Sequence, residues 1–523
     1  MSMNALDLLV MRHPLLVSAI VWAALALAGR FVASRTVAGR FIASVSAAAI
    51  AVFLAMAWYY ARTPQYFDVA EPTTTIVGWL YHLGQPIYHA QDAPARYSHV
   101  WGPIVFMVHG AVLGWLGPSI GVSKAIGCVA AVASLGLLVI AVRNVAGSRA
   151  AWIGTGLTAL VFLVFRHYSF WTRPEPLELL CVAAGLAALS FPGAASLLVI
   201  GITQGLLWNL KLTGPLYAAP IFVWLLLRRG WRAAAGALAL TVITAVAPFV
   251  LDPRVSWINY VSWFRVSARS GLEAGALTTN LEWSIWLLAP IGLAIAAARE
   301  RARGSARLDW ALVTLAGAMI GVSIAASKPG AGAYHLLPFV PIVAYAAATV
   351  LGHDARLAAP RWTITAALAL LLTASASAAW RQAAWVRTMT TRDTQHQMDD
   401  LQAFVRTHPG RTQMAYGRDE PATVERPVLV FAGGTYLIDQ PAVREHQLNG
   451  VEIPEATVNA IRSCAADYFL VPQGDAPWSG VNVYPAVAGR PLYPDAMRAA
   501  FREAYVLAGK TAYFDVWQCR TRR

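Results

Sequence analysis

Along most of the chain, apolar runs long enough to cross a bilayer alternate with short polar intervals. A spanning helix takes roughly 20 apolar residues, within a range of about 17 to 25. By that measure the expected spans are 14–33, 41–60, 119–142, 150–165, 176–192, 195–212, 214–228, 233–250, 281–298, 309–326, 335–352 and 362–380, with a shorter run at 101–116. One long polar and aromatic interval interrupts them at 62–103, RTPQYFDVAEPTTTIVGWLYHLGQPIYHAQDAPARYSHVWGP. A second interval, 251–280, is amphipathic. Trp257, Tyr260, Trp263 and Phe264 recur there at helical spacing among Arg254, Arg265 and Arg269, the pattern of a helix lying in the membrane interface. From about residue 385 charge rises and the apolar runs shorten. Strand-like runs (Gln413–Tyr416, Pro427–Phe431, Tyr468–Val471, Ala512–Trp517) alternate with helix-like ones (Met398–Arg406, Thr457–Cys464, Asp495–Tyr505), as in a small α/β domain. The expected division is a membrane domain of about 12–13 helices over 1–384, with its first outer loop at 62–100, followed by an α/β domain over 385–523.

Composition sharpens this. Of 523 residues, 57% are hydrophobic and 13% charged, against about 25% charged in soluble proteins, so the chain is expected to be a polytopic membrane protein. A net charge of +14 suits nucleic acid at first sight. The arginines instead cluster between apolar runs, as the positive-inside rule requires, and a bilayer rather than nucleic acid is the expected partner. Arg30, Arg35 and Arg40, then Arg143 and Arg149, then Arg228, Arg229 and Arg232, then Arg299, Arg301, Arg303 and Arg307 mark cytoplasmic loops. Counting from them, 62–100, 166–175, 251–280, 327–335 and everything after 380 lie outside. The parity works if 101–116 is re-entrant or interfacial. The first apolar run has no clear small-residue cleavage site and reads as an uncleaved helix. Cys128 and Cys181 lie in apolar runs. Cys464 and Cys519 lie in the polar tail, where export would let them pair, and the alternative is two free thiols. No CxxC or Cys/His spacing suggests a metal.

Four features on the expected outer side could carry chemistry. Asp68 and Glu71 are spaced to share a helix face, and carboxylates this close to a bilayer are costly and often functional. Alternatively Asp68 simply caps an interfacial helix starting at Val69. Trp171-Thr172-Arg173-Pro174-Glu175 sets a cation and an acid at a helix mouth, or forms a boundary cap with a snorkelling Arg. Lys211 ends an apolar helix and either binds or snorkels. Lys328, Tyr334 and His335 flank two glycines in a loop. Together these features suit a phosphate-bearing, partly lipidic ligand.

The order of these segments resembles the GT-C superfamily of polytopic glycosyltransferases, which use polyprenyl-phosphate-linked sugars. YFDVAEP resembles the family's acid after an early helix, and GQPIY with YSHVWGP its Gly-x-Pro-x-Tyr segment and Tyr-rich turn. WTRPEPLELL resembles its Arg-Pro-Asp/Glu helix start, NLKLTGPLYAAP its Lys-x-Thr-Gly segment, and KPGAGAYHLLPFVP its Gly-rich Tyr-x-Leu-Pro turn. The closing FDVWQC fits a periplasmic α/β tail. The resemblance implies that Asp68 is the catalytic base, with Glu71 the alternative. It implies that Lys211, Lys328, Tyr334 and His335 meet the lipid phosphate or the sugar and that Arg173 and Glu175 shape the site, and Tyr88, Tyr97, His99 and Arg265 are further expected substrate-binding residues. No Asp-x-Asp argues for a metal, so no cofactor is the default and a divalent ion stays an alternative. Asp-Val-Ala-Glu departs from the family's adjacent acids, and an additional N-terminal helix precedes the one before the loop.

The function expected on this resemblance is sugar transfer from a polyprenyl phosphate donor to an acceptor hydroxyl at the periplasmic side of a bacterial inner membrane, with inversion. A transporter or flippase of a lipid-linked glycan would use the same lipid-phosphate cavity without chemistry. A membrane scaffold is a third reading and leaves Asp68, Arg173 and Lys211 unexplained.

Overall fold

A computed structural model describes residues 5–27, 35–298, 306–352, 361–391, 393–418 and 420–522. Among them, five helices are long and apolar enough to cross a membrane: Val37–Arg62, Ile120–Val164, Trp231–Leu251, Ala274–Ala298 and Trp362–Thr391. Pro14–Leu27, Pro103–Leu116, Ala194–Trp208, Asp309–Ala325 and Phe339–Leu351 are apolar but shorter. The chain is thus a multi-pass membrane protein with a small C-terminal sheet. Arg30, Arg299, Arg301 and Arg303, four of the expected cytoplasmic anchors, lie outside the described residues.

The two runs expected at 119–142 and 150–165 form one helical stretch, Ile120–Val164, broken at Gly147. There φ is +83°, a left-handed conformation that glycine adopts without the penalty of a Cβ. The helix Arg361–Thr391 runs through residue 385, where the composition changes, so charge enters the sequence before the helix ends.

The residues divide into two compact units. The first takes Met1–Tyr60, Gly127–Ala245 and Leu272–Thr390 and holds most of the apolar helices. Within it Pro174–Ala188 packs against Ala194–Trp208, Gly214–Arg229 and Phe339–Leu351. The additional N-terminal helix, Pro14–Leu27, packs on Ala274–Ala298, where Trp286 Nε1 donates to Ser18 Oγ at 3.0 Å.

The second unit takes Ala61–Ile126, Val246–Gly271 and Thr391–Arg523. Its sheet has four strands: β1 (Thr412–Met414), β2 (Tyr468–Pro472), β3 (Tyr505–Lys510) and β4 (Phe514–Cys519), in the order β1-β2-β4-β3. β1 and β2 are parallel, and the other pairs antiparallel. Pro427–Phe431, expected as a strand, is the start of the helix Pro427–Gly433. A short apolar run does not tell a buried strand from a buried helix. Here Pro427 opens the helix and Gly434, at φ +64°, closes it.

The expected first outer loop, 62–100, holds the helix Glu71–His82, and the helix Pro103–Leu116 follows it. At 14 residues the second is too short to span, as expected of 101–116. The two helices cross at Gly78 and Gly110, where a Cβ on Gly110 would lie 2.5 Å from the Gly78 carbonyl oxygen. No side chain larger than hydrogen fits that approach.

The expected interfacial helix is Trp257–Ser267. Ser256 caps it by accepting from the Asn259 N–H. Tyr260, Trp263 and Val266 are buried, while Trp257 and Ile258 stand exposed. Cys464 and Cys519 form a disulfide, with Cα atoms 5.9 Å apart. The bond closes a loop of 55 residues. On loop entropy, replacing both cysteines by serine is expected to cost the second unit about 4 kcal/mol, read as a lowered Tm of the tail's unfolding.

Candidate active site

In the second unit the chain leaves the helix Arg35–Arg62 and turns before the helix Glu71–His82. The turn is tethered by Lys124, whose buried Nζ donates to the carbonyls of Thr63 (2.6 Å) and Gln65 (2.9 Å). Tyr66 adds a hydroxyl bond to Ser123 (2.7 Å). Asp68 and Glu71 do not share a helix face as their spacing suggests, because the helix begins only at Glu71. Glu71 is fully buried, and its Oε1 accepts the backbone N–H groups of Phe67 (2.7 Å) and Asp68 (3.0 Å). Asp68 is half-buried, and its Oδ1 accepts from the Ala70 N–H at 2.8 Å. Glu71 therefore fixes the backbone that carries Asp68. Asp68 folds back on the turn just outside the helix rather than capping a helix from Val69.

Further along the loop the aromatic and basic residues are committed to the unit's interior. Tyr88 donates to the Trp101 carbonyl (2.6 Å) and packs on Tyr260. Tyr97 packs between His89 and Tyr436. His99 stacks on Trp101 and meets Asp439 through Nε2 (3.1 Å). Asp439 is the hub. Its carboxylate also accepts from Thr73 (2.8 Å), Tyr436 (2.6 Å), Arg426 (2.9 Å) and the Ala442 N–H (3.1 Å). Burial alone would push the Asp439 carboxyl up, but Arg426 and His99 hold it well below the usual carboxylate range. Burial alone would likewise lower His99, but Asp439 and Glu445 lift it to about 9. Arg265 stands exposed on the helix Trp257–Ser267.

The first unit builds a second cluster. Arg173 is the extended residue before Pro174, which opens the helix Pro174–Ala188 and sets Glu175 in its first turn. Glu175 is fully buried; one oxygen accepts from Trp171 Nε1 (2.8 Å) and the other pairs with Lys211 Nζ. Lys211 also faces His335 Nδ1 at 3.5 Å and the Tyr334 ring at 5.6 Å. The Arg173 guanidinium lies 4.1 Å from the Trp171 ring centroid and reaches the Tyr334 hydroxyl at 3.5 Å. Tyr168, Trp171 and Tyr334 pack their rings together. Lys328 is half-buried in the same loop as Tyr334 and His335.

Two groups escaped the sequence reading. Glu178 lies one turn beyond Glu175, is fully buried, and neither of its oxygens has a hydrogen-bond partner among the described residues. Its signal was present in PEPLELL, a Glu-x-x-Glu spacing on an apolar helix. The Asp439–Arg426–Tyr436 hub left no comparable trace, because its partners Thr73 and His99 lie 366 and 340 residues away in sequence. Among the described residues no group of three His, Cys, Asp or Glu is arranged to hold a metal ion.

No protein-family model matches the chain, and no curated protein matches it by sequence. A solved structure does: ArnT from Cupriavidus metallidurans bound to undecaprenyl phosphate superposes with a TM-score of 0.54 over 91% of this chain and 97% of its own, at 12% identity. The chain has the ArnT fold. The apo form of the same protein aligns over 90% of this chain and 97% of its own, with a TM-score of 0.48 and 12% identity. At 12% identity the likeness is one of fold.

Proposed function

We propose that the protein is an integral membrane glycosyltransferase that moves a sugar from a polyprenyl phosphate donor to an acceptor hydroxyl. The observation that carries this reading is the cluster of half-buried Arg173 with the buried Glu175–Lys211 pair, in a chain with the fold of a protein solved with undecaprenyl phosphate. Guanidinium and ammonium groups suit a phosphate monoester or diester, and a site that excludes water strengthens them. In this reading Arg173 and Lys211, with Lys328 in the adjoining loop, stabilise the departing polyprenyl phosphate. Tyr334 and His335 contribute to the binding of phosphate or sugar.

Asp68 takes the proton of the acceptor hydroxyl. The hydroxyl oxygen attacks the anomeric carbon, the bond from that carbon to the phosphate oxygen breaks, and configuration inverts. Glu71, which holds the Asp68 backbone through two N–H groups, acts as a positioning residue. The protein sits in a bacterial inner membrane with the C-terminal domain in the periplasm, where the Cys464–Cys519 disulfide is at home.

The test uses purified protein in detergent with a panel of polyprenyl phosphate sugars and a membrane extract as acceptor source, following release of free polyprenyl phosphate. General-base catalysis contributes about 10²–10⁴-fold, so Asp68→Asn is expected to slow release by that order at unchanged melting behaviour. Equal release by both proteins would remove Asp68 from the chemistry. Tight donor binding without release from any donor would favour a transporter.

A further inference from the structure

A cavity of about 530 Å³ opens in the second unit, within the size range of pockets that hold small ligands, about 300–1,000 Å³. None of the residues assigned above to the sugar donor or to the base lines it. It lies where two candidate membrane spans end, at Ala61–Arg62 of one and Ile120–Gly121 of the other. Its far wall comes from the helices Thr394–Thr407 and Pro427–Gly433.

Its chemistry is that of an anionic amphiphile's site. Arg62 and Arg406 line it, and no Asp or Glu does. Ser119 accepts the Val122 N–H, so the first turn of the helix Ile120–Val164 faces the cavity with the positive end of its dipole. The opposing end of the helix Arg35–Arg62 would repel an anion. Lys124 sets a positive charge beside that end by donating to the Thr63 and Gln65 carbonyls just past it. The remaining surface is largely apolar, with Met398, Val428 and Phe431 prominent.

We propose that this cavity binds the phosphate headgroup of an anionic phospholipid drawn from the surrounding membrane. The phosphate pairs with Arg62 and Arg406 over the first turn of the helix Ile120–Val164, and the start of an acyl chain lies along Met398, Val428 and Phe431. Two features favour a bulk membrane lipid over the sugar donor. The position at the ends of two spans matches the depth of lipid phosphates, and no residue assigned to the donor lines the cavity. The inference goes beyond the proposed sugar transfer and does not depend on it.

The full-length protein in phosphatidylcholine nanodiscs carrying a photoactivatable phosphatidylglycerol tests this. Adducts are mapped by mass spectrometry. Labelling is expected on the segments 61–64, 118–121, 395–406 and 428–432, and unlabelled phosphatidylglycerol should compete for it. Loss of two charge-assisted contacts in R62Q/R406Q should reduce the labelling at least about fivefold. Both arginines are exposed, and the melting of the variant is compared with that of the parent. The competition arm needs no variant and decides the matter alone if the two melt differently. Equal labelling by a photoactivatable phosphatidylcholine overturns the proposal, as does labelling unchanged in R62Q/R406Q. Displacement by undecaprenyl phosphate but not by phosphatidylglycerol also overturns it and assigns the cavity to the donor lipid.

Discussion

A Lys211→Met protein is expected to lose both stability and activity, and adding Glu175→Gln is expected to return the stability alone. Lys211 and Glu175 form a buried pair, with Glu175 held by Trp171 on its other oxygen. Removing only the ammonium leaves an uncompensated buried carboxylate, a defect of about 3–5 kcal/mol. Glutamine has nearly the same shape, keeps an acceptor for the Trp171 N–H and carries no charge, so the double variant escapes most of that defect. The role assigned to Lys211 at the donor phosphate is lost in both variants. Transfer should therefore stay depressed by about 10²–10³-fold, the usual consequence of deleting one group that stabilises developing negative charge. Thermal unfolding in detergent and release of polyprenyl phosphate, measured on the same samples, separate the two effects. Recovery of activity in the double variant would make the pair purely structural.

Unfolding of the second unit should be pH-dependent, in a direction set by Asp439 and His99. His99 titrates near 9 in the folded protein against an ordinary 6.5, because Asp439 and Glu445 outweigh the effect of its burial. A group with a raised folded value contributes stability that is complete below 6.5 and drains away as pH climbs toward 9. That amounts to at most about 3 kcal/mol from His99. Asp439 has the opposite sign, because its value is lowered: its contribution is intact above the ordinary carboxylate range and falls away only in stronger acid. Burial lowers His89 to about 4 and His446 to about 3, so both make stability fall below pH 6.5, and the melting temperature should be highest near pH 6.5 and decline on either side. Asp439→Asn removes the hub's charge and leaves Arg426 buried with its main partner gone, at a cost of about 3–5 kcal/mol. It should also flatten the alkaline slope. A slope unchanged in Asp439→Asn would show that His99 is not held by Asp439.

Much of the architecture could be read from hydrophobic periodicity. The apolar runs, the amphipathic helix at Trp257–Ser267 and three of the four strands follow from local pattern, which is where sequence carries the strongest signal. Pro427–Phe431 went astray because a short, fully buried apolar run looks alike in either conformation. β3 was absorbed into the helix reading around Tyr505, since the polar helix Asp495–Ala504 passes directly into it. The residues of the Arg173, Glu175, Lys211, Tyr334 and His335 cluster could be picked out because each sits at the end of an apolar run, but a boundary cap or a snorkelling side chain accounts for the same placement, so their meeting in one cluster was not legible. Nor were the internal commitments of Tyr88, Tyr97 and His99. They depend on Tyr260, Tyr436 and Asp439, and no periodicity links a loop to a residue hundreds of positions away.

The second unit is built from three stretches of chain separated by long helical insertions, and this sets an order on its making. When 62–103 leaves the ribosome, Asp439, Arg426 and Leu437, which bind Thr73, Arg96 and His99, have not been synthesised. At about 5–20 residues per second, the loop waits tens of seconds for them. During that interval its buried-to-be arginine, histidine and tyrosines are solvated or held by other factors. A chain halted before residue 391 would carry the apolar helices of the first unit and still display an unfinished 62–103 segment, which waits for Arg426, Leu437 and Asp439 to complete it.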